Sequence, residues 1–232
     1  MAGYWSVWGA PALVDWCEAN YAGSSYVAEL WNTWSSGMMV AIALAGLWRV
    51  RSEGWRFMLG MGGLAGVGLG SAAFHGTLLR VAQAADELPM IWLGIGCVWT
   101  VTARRWGDAQ ARPWALGMLL FGCAFMAAYA TVPWAFALFI AVYGGMIAWV
   151  VLRTLWLTWG QPSTAEMRFF AKGTIFFYLG SFFFAWMPEH VLLGCDHPLQ
   201  ALHLHSWWHL GSAVGTVCWW LWAAEDHRRL RS

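Results

Sequence analysis

The chain has 232 residues, 60% of them hydrophobic and 11% charged, with a formal net charge of +1. Soluble domains carry about 25% charged residues, so this composition excludes a disordered chain and an ordinary cytosolic enzyme. With so little net charge there is no basic surface for a phosphate backbone, and nucleic acid is excluded as a partner.

Residues 1–29 form an acidic, aromatic preface containing Asp15, Glu18 and Glu29. No basic run leads into an apolar one there, so the preface does not read as a signal peptide. Seven apolar stretches follow, over 30–48, 57–79, 85–103, 113–130, 133–152, 169–187 and 203–223. Each is long enough to cross about 30 Å of hydrocarbon as a helix. The pattern predicts an all-α membrane protein: one seven-helix bundle over 1–232, without internal repeats or a dividing linker. The loop Thr131–Val132–Pro133 is short enough to make spans 4 and 5 an antiparallel hairpin. In span 2, Gly62, Gly66 and Gly70 recur at four-residue spacing and predict a face for close helix packing.

Charge sets the expected orientation. Arg49, Arg51, Arg56, Arg104, Arg105, Arg112, Arg153, Arg168, Lys172, Arg228, Arg229 and Arg231 fall in alternate loops and the tail, which leaves only Arg80 for the other side. The positive-inside rule then predicts an outer N-terminus and a cytoplasmic C-terminus, with the preface folding over the outer face. Trp31, Trp48, Trp55, Trp106, Trp114, Trp134, Trp156, Trp186, Trp207 and Trp222 lie near span ends, as an interfacial aromatic belt would.

Titratable groups at membrane depth are costly and mark function. Span 2 carries Ser71 and His75, four residues apart and therefore on one helical face. Span 3 opens with Asp86 and Glu87, and span 7 carries His205 and His209 on one face. All map to the outer ends of their helices. Three imidazoles suit a catalytic zinc that keeps one position open. A packed, hydrogen-bonded histidine is the competing reading for each of the three. With the metal reading, Asp86 would serve as general base and then acid, and Ser71 would donate to a developing oxyanion or orient the water. His190 and His197 fall in an outer loop and read as solvated. Asp15, Glu18, Asn20 and Glu29 supply oxygen ligands of the kind Ca²⁺ takes. Their spacing is not that of an EF-hand, and on spacing alone a solvated acidic segment is the better reading. Glu29 is the exception, because it directly precedes an apolar helix. Cys97, Cys123 and Cys218 read as packing residues, whereas Cys17 and Cys195 both map to the outer side, where disulfides persist.

Several stretches resemble the alkaline ceramidases: GYWSVWGAPALVDWCEANYAGSSYVAELWNTWS near the N-terminus, GSAAFH at 70–75, DELPMI at 86–91 and HSWWH at 205–209. Order and spacing match across nearly the whole chain. The wider superfamily resembles the adiponectin-receptor-like proteins. The resemblance implies an intramembrane zinc amidase that cleaves ceramide, a membrane lipid, to a fatty acid and a sphingoid base. It implies zinc on His75, His205 and His209, with Ser71 and Asp86 as catalytic partners. It implies Ca²⁺ on Asp15, Trp16 (through its carbonyl), Glu18, Asn20 and Glu29, a disulfide between Cys17 and Cys195, and a site tyrosine at Tyr143. No obligatory protein partner is implied.

The segment from Cys195 to His205 is shorter than in eukaryotic members, so the cover over the entrance is expected to differ. One Lys against twelve Arg reads as a GC-rich coding bias and favours a bacterial inner membrane. A seven-helix receptor or regulator with a structural zinc is the alternative function. A transporter would be expected to show inverted repeats or broken helices.

Overall fold

The computed structural model describes residues 9–106 and 108–232. Helices account for nearly all of its regular structure. They are α1 (Leu30–Val50), α2 (Trp55–Thr77), α3 (Arg80–Thr102), α4 (Asp108–Thr131), α5 (Ala135–Trp159), α6 (Ala165–Leu193) and α7 (Leu204–Arg229), with a 3₁₀ turn at Pro198–Leu202. Four of them, α2, α4, α5 and α6, are long and apolar enough to cross a membrane. The other three, of 21, 23 and 26 residues, carry buried polar side chains: Asn32, Ser35 and Ser36 in α1, Gln83 and Glu87 in α3, His205, His209 and Ser212 in α7. Helices outrun the expected apolar stretches at several ends, because hydrogen bonding continues past the last apolar residue.

The two ends of the bundle differ chemically. At one end ion pairs tie the basic segments together: Arg104 holds Asp226, and Arg228 holds Glu53 and Glu225. A core of Val50, Phe57, Met61, Val101, Leu157 and Trp220 packs just inside that end. Trp222 belongs to this core and not to an interfacial belt. It is 1% exposed, and its indole N–H donates to Thr158 Oγ1 at 2.9 Å. Trp31, Trp48, Trp55, Trp114, Trp134, Trp156 and Trp207 are exposed, as a belt requires.

At the other end residues 9–29 of the preface lie across the helix termini. Ala12 N–H donates to the Leu78 carbonyl at 2.9 Å, Arg80 N–H to the Ala10 carbonyl at 2.9 Å, and Leu13 N–H to Gln83 Oε1 at 2.7 Å. The start of α1 leaves orphan N–H groups, as every helix does. Glu18 satisfies two of them, accepting from Trp31 at 2.7 Å and Asn32 at 2.9 Å. A disulfide joins Cys17 to Cys195, with Cα atoms 4.8 Å apart, and so fastens the preface to the segment between α6 and α7.

Of the three glycines of α2 expected to pack closely, Gly70 does so and the other two do not. Gly62 and Gly66 face open space, whereas Gly68 abuts α1 at Ser36 and Val40, and Gly70 abuts the α3 backbone at Ala85 and Asp86. A Cβ at residue 70 would strike the Ala85 carbonyl oxygen. This glycine lets the helix bearing Ser71 and His75 approach the helix bearing Asp86. Gly70→Ala is expected to force the pair apart, at the cost of about 1–3 kcal/mol usual for overpacking. Thermal unfolding in detergent would register this as a lowered Tm, and an unchanged Tm would count against the contact.

Candidate metal and catalytic site

His75 on α2 and His205 and His209 on α7 are all buried, and one ligand nitrogen from each lies within 4.8 Å of the other two. Ring centroids are 5.1 Å apart for His75–His205, 4.9 Å for His75–His209 and 4.5 Å for His205–His209. Two of the rings are held from behind. His75 Nδ1 pairs with Glu29 Oε2, and His209 Nδ1 lies 2.8 Å from Ser35 Oγ. His75 Nε2 is left buried without a partner. Metal-ligating histidines show this arrangement, in which one nitrogen is oriented by an outer group and the other faces the ion. An orphaned buried nitrogen in a three-histidine set therefore fits zinc, as read from the sequence.

Ser71 sits one turn before His75. Its hydroxyl accepts from Ser36 Oγ at 2.9 Å and lies 3.5 Å from His209 Nε2. Ser71 and Asp86 line the same cavity. Glu87, next in sequence, is engaged elsewhere: it accepts from Gln83 Nε2 at 2.7 Å and Tyr129 O–H at 2.6 Å, and Arg80 Nη1 donates to Tyr129 at 2.6 Å.

These groups face a cavity of about 520 Å³. Ser71, Asp86, His205 and His209 line its polar part, while Phe139, Ile140, Ile147, Val151 and Leu152 line its apolar part. Lipid and drug-sized ligands occupy pockets of ~300–1,000 Å³ with apolar walls and few polar groups. Tyr143 lines the same cavity, and its hydroxyl is 2.9 Å from that of Tyr178 on α6.

The preface supplies oxygen donors beside this site. Asn20 Nδ2 donates to both Asp15 carboxylate oxygens, at 3.2 and 2.9 Å. Glu29 accepts from Trp16 N–H at 3.2 Å and Asn32 Nδ2 at 3.0 Å as well as from His75. Among the described residues Asp15, Glu18 and Glu29 do not form a group as tight as the histidines. Each is partly engaged by N–H donors instead. Burial pushes the Glu29 carboxyl up to about 7, and the neighbouring Asp15 adds to the rise. A carboxylate so placed gains from a nearby cation, which fits a calcium among these oxygens.

The residue profile of the ceramidase family matches residues 10–228. The chain belongs to the ceramidase family. Alkaline ceramidase 3 of Mus musculus is 28% identical to this ceramidase-family chain over 234 residues, 92% of this chain and 82% of that protein. Alkaline ceramidase of Arabidopsis thaliana is 34% identical over 129 residues, 54% of this chain and 49% of that protein. Alkaline ceramidase YPC1 of Saccharomyces cerevisiae is 39% identical over 89 residues, 37% of this chain and 28% of that protein.

Some groups at the site were not anticipated from the sequence of this ceramidase-family chain. Ser35 and Ser36 look like ordinary small residues of an apolar helix. The long-range pairing of Glu29 with His75 leaves no local signal either. Glu189 is buried, and His190 is half-buried against Trp16 and Trp186 and is not solvated. Ser35→Ala is expected to weaken metal binding at His209 by roughly 10–100-fold, the usual cost of losing an outer-shell partner. Competition with a fluorescent zinc chelator would measure it, and unchanged affinity would remove Ser35 from the site.

Proposed function

We propose that this chain is an intramembrane zinc-dependent ceramidase that hydrolyses the N-acyl amide of ceramide to a fatty acid and a sphingoid base. The observation that carries this reading is the grouping of His75 with His205 and His209, two histidines that line a lipid-sized, largely apolar cavity together with Ser71 and Asp86. The family relationship favours the same substrate.

His75, His205 and His209 would hold the zinc, which when bound supplies a Lewis acid for the amide carbonyl and makes water a stronger acid. Asp86 accepts the proton of the attacking water and returns it to the amine nitrogen as the C–N bond breaks. Ser71 O–H donates to the carbonyl oxygen as charge develops there. Tyr143, paired with Tyr178 on the cavity wall, is placed to bind the polar part of the lipid. The apolar wall of α5 takes the acyl chain.

In the same reading the seven helices span the membrane with the site end outside and the basic end cytoplasmic, in keeping with the positive-inside rule. The Arg-rich composition favours a bacterial inner membrane. Asp15, Trp16 through its carbonyl, Glu18, Asn20 and Glu29 would hold Ca²⁺. Because Glu29 pairs with His75, and Trp16 stacks on His205 at 3.8 Å between centroids, the two ions would support each other's sites.

The direct experiment is a turnover assay across N-acyl lipids with metal analysis of the same sample. Ceramide is expected to be cleaved, with activity lost on zinc removal and restored by adding zinc back. Undiminished turnover in a verified zinc-free sample would falsify the zinc assignment. Cleavage of other N-acyl lipids but not ceramide would overturn the substrate.

A further inference from the structure

Beside the three-histidine group lies a second set of ligand atoms that the reaction above does not use. Glu189 and His190 stand on the last turns of α6, where the helix has passed from α to π winding. Together with His205 they bring three ligand atoms within 4.8 Å of one another. Glu189 and His205 are each 4% exposed, and His190 is half-buried.

The decisive feature is what these atoms lack. Glu189 Oε2, His190 Nε2 and His205 Nδ1 are all buried without a hydrogen-bond partner. Buried polar atoms are almost always paired, so three orphans at one point call for an explanation. Glu189 Oε2 and His205 Nδ1 are 3.8 Å apart, too long for a hydrogen bond but well suited to two ligands on one ion. The other oxygen of Glu189 is already fixed, accepting from Cys17 N–H at 3.1 Å. His190 is fixed as well. Its ring meets Trp16 edge-on at 3.8 Å and packs on Trp186 at 4.8 Å. The ligands are thus held in place with their free atoms converging.

We propose that Glu189, His190 and His205 form a second divalent-metal site that shares the His205 imidazole with the three-histidine group. Two imidazoles and a carboxylate suit zinc or another borderline ion and do not suit a hard, oxygen-seeking one. His205 offers Nδ1 to this site and keeps Nε2 for His75 and His209. With both nitrogens engaged the ring releases its remaining proton to solvent, so this ion binds more weakly than the first. The site shares a ligand with the proposed zinc group but does not require that group to hydrolyse anything.

The test is metal stoichiometry on the full chain in detergent, with millimolar calcium present throughout to occupy oxygen-only sites. Zn²⁺ is titrated and bound metal is measured per chain, and Co²⁺ absorption is recorded in parallel. Wild type is expected to take up two ions, the second more weakly. His190→Phe, which keeps an aromatic ring against Trp16 and Trp186, is expected to lose the weak ion and keep the tight one. Glu189→Gln should do the same. His209→Ala should lose the tight ion, so failure of the first group and failure of the second are told apart. Saturation of wild type at one ion, or a weak ion that persists in His190→Phe with an unaltered Co²⁺ spectrum, would overturn the proposal. Glu189 would then be an orienting partner of His205 alone.

Discussion

His209→Ala is expected to abolish ceramide hydrolysis and to remove the tightly bound metal while leaving the helices folded. His209 is buried on α7, with Nδ1 at Ser35 and Nε2 towards Ser71. Alanine deletes one of three ligands and leaves two hydroxyls facing the space. Those hydroxyls also bond elsewhere: Ser35 donates to the Asn32 carbonyl at 3.0 Å and Ser36 to Ser71 Oγ at 2.9 Å. The stability cost is therefore that of losing a buried hydrogen bond, about 1–3 kcal/mol. The chemical cost is larger. Removal of a single oxyanion donor costs roughly 10²–10³ in kcat, and loss of a metal ligand should exceed this. Product release by mass spectrometry, metal content by elemental analysis and helicity by circular dichroism check the three parts separately. A variant that keeps its metal and its rate would place the ion elsewhere.

The site was partly legible because its parts obey local rules. Ser71 and His75, and His205 and His209, share faces at four-residue spacing, and α2 and α7 keep the α winding that this spacing assumes. The rule fails on α6. There Glu189 and His190 lie in π-helical turns past the apolar stretch, so a hydropathy reading ends the helix before them and assigns them to a loop. The glycine pattern held at Gly70 and failed at Gly62 and Gly66 for a related reason. Periodicity shows which residues share a face but not which face meets a neighbour, and Gly68 and Gly70 meet helices where Gly62 and Gly66 do not. Trp222 illustrates the same limit. Its place near a helix end suggested the interface, yet Thr158 on α5 offers its indole a partner inside the core. α1, α3 and α7 fall outside the four most apolar helices and carry buried polar groups such as Asn32, Glu87 and His209. Only the folded chain brings Glu29 to His75, 46 positions apart.

Asp86→Asn is expected to lower kcat by roughly 10²–10⁴, the range for loss of a general base, with metal content and KM little changed. The substitution is nearly isosteric and keeps a polar group at residue 86. Asp86 and Glu87 are adjacent carboxyls on the same cavity wall, and the structure distinguishes them. Both oxygens of Glu87 accept hydrogen bonds, from Gln83 and from Tyr129, and Arg80 backs the tyrosine. With both oxygens so engaged, this carboxyl has neither free to meet a water, and it serves to brace α3 against α4. Asp86 lines the cavity with Ser71, as its proposed role of taking and returning a proton requires. Glu87→Gln should therefore lower stability more than it lowers the rate of the folded fraction, whereas Asp86→Asn should do the reverse. Single-turnover kinetics on metal-replete protein, normalised to folded protein, separate the two. If Asp86→Asn turns over ceramide at the wild-type rate, the proton passes through another group. If neither variant nor the wild type cleaves any N-acyl lipid while zinc remains bound, the three histidines hold a structural ion, and the cavity is that of a lipid receptor.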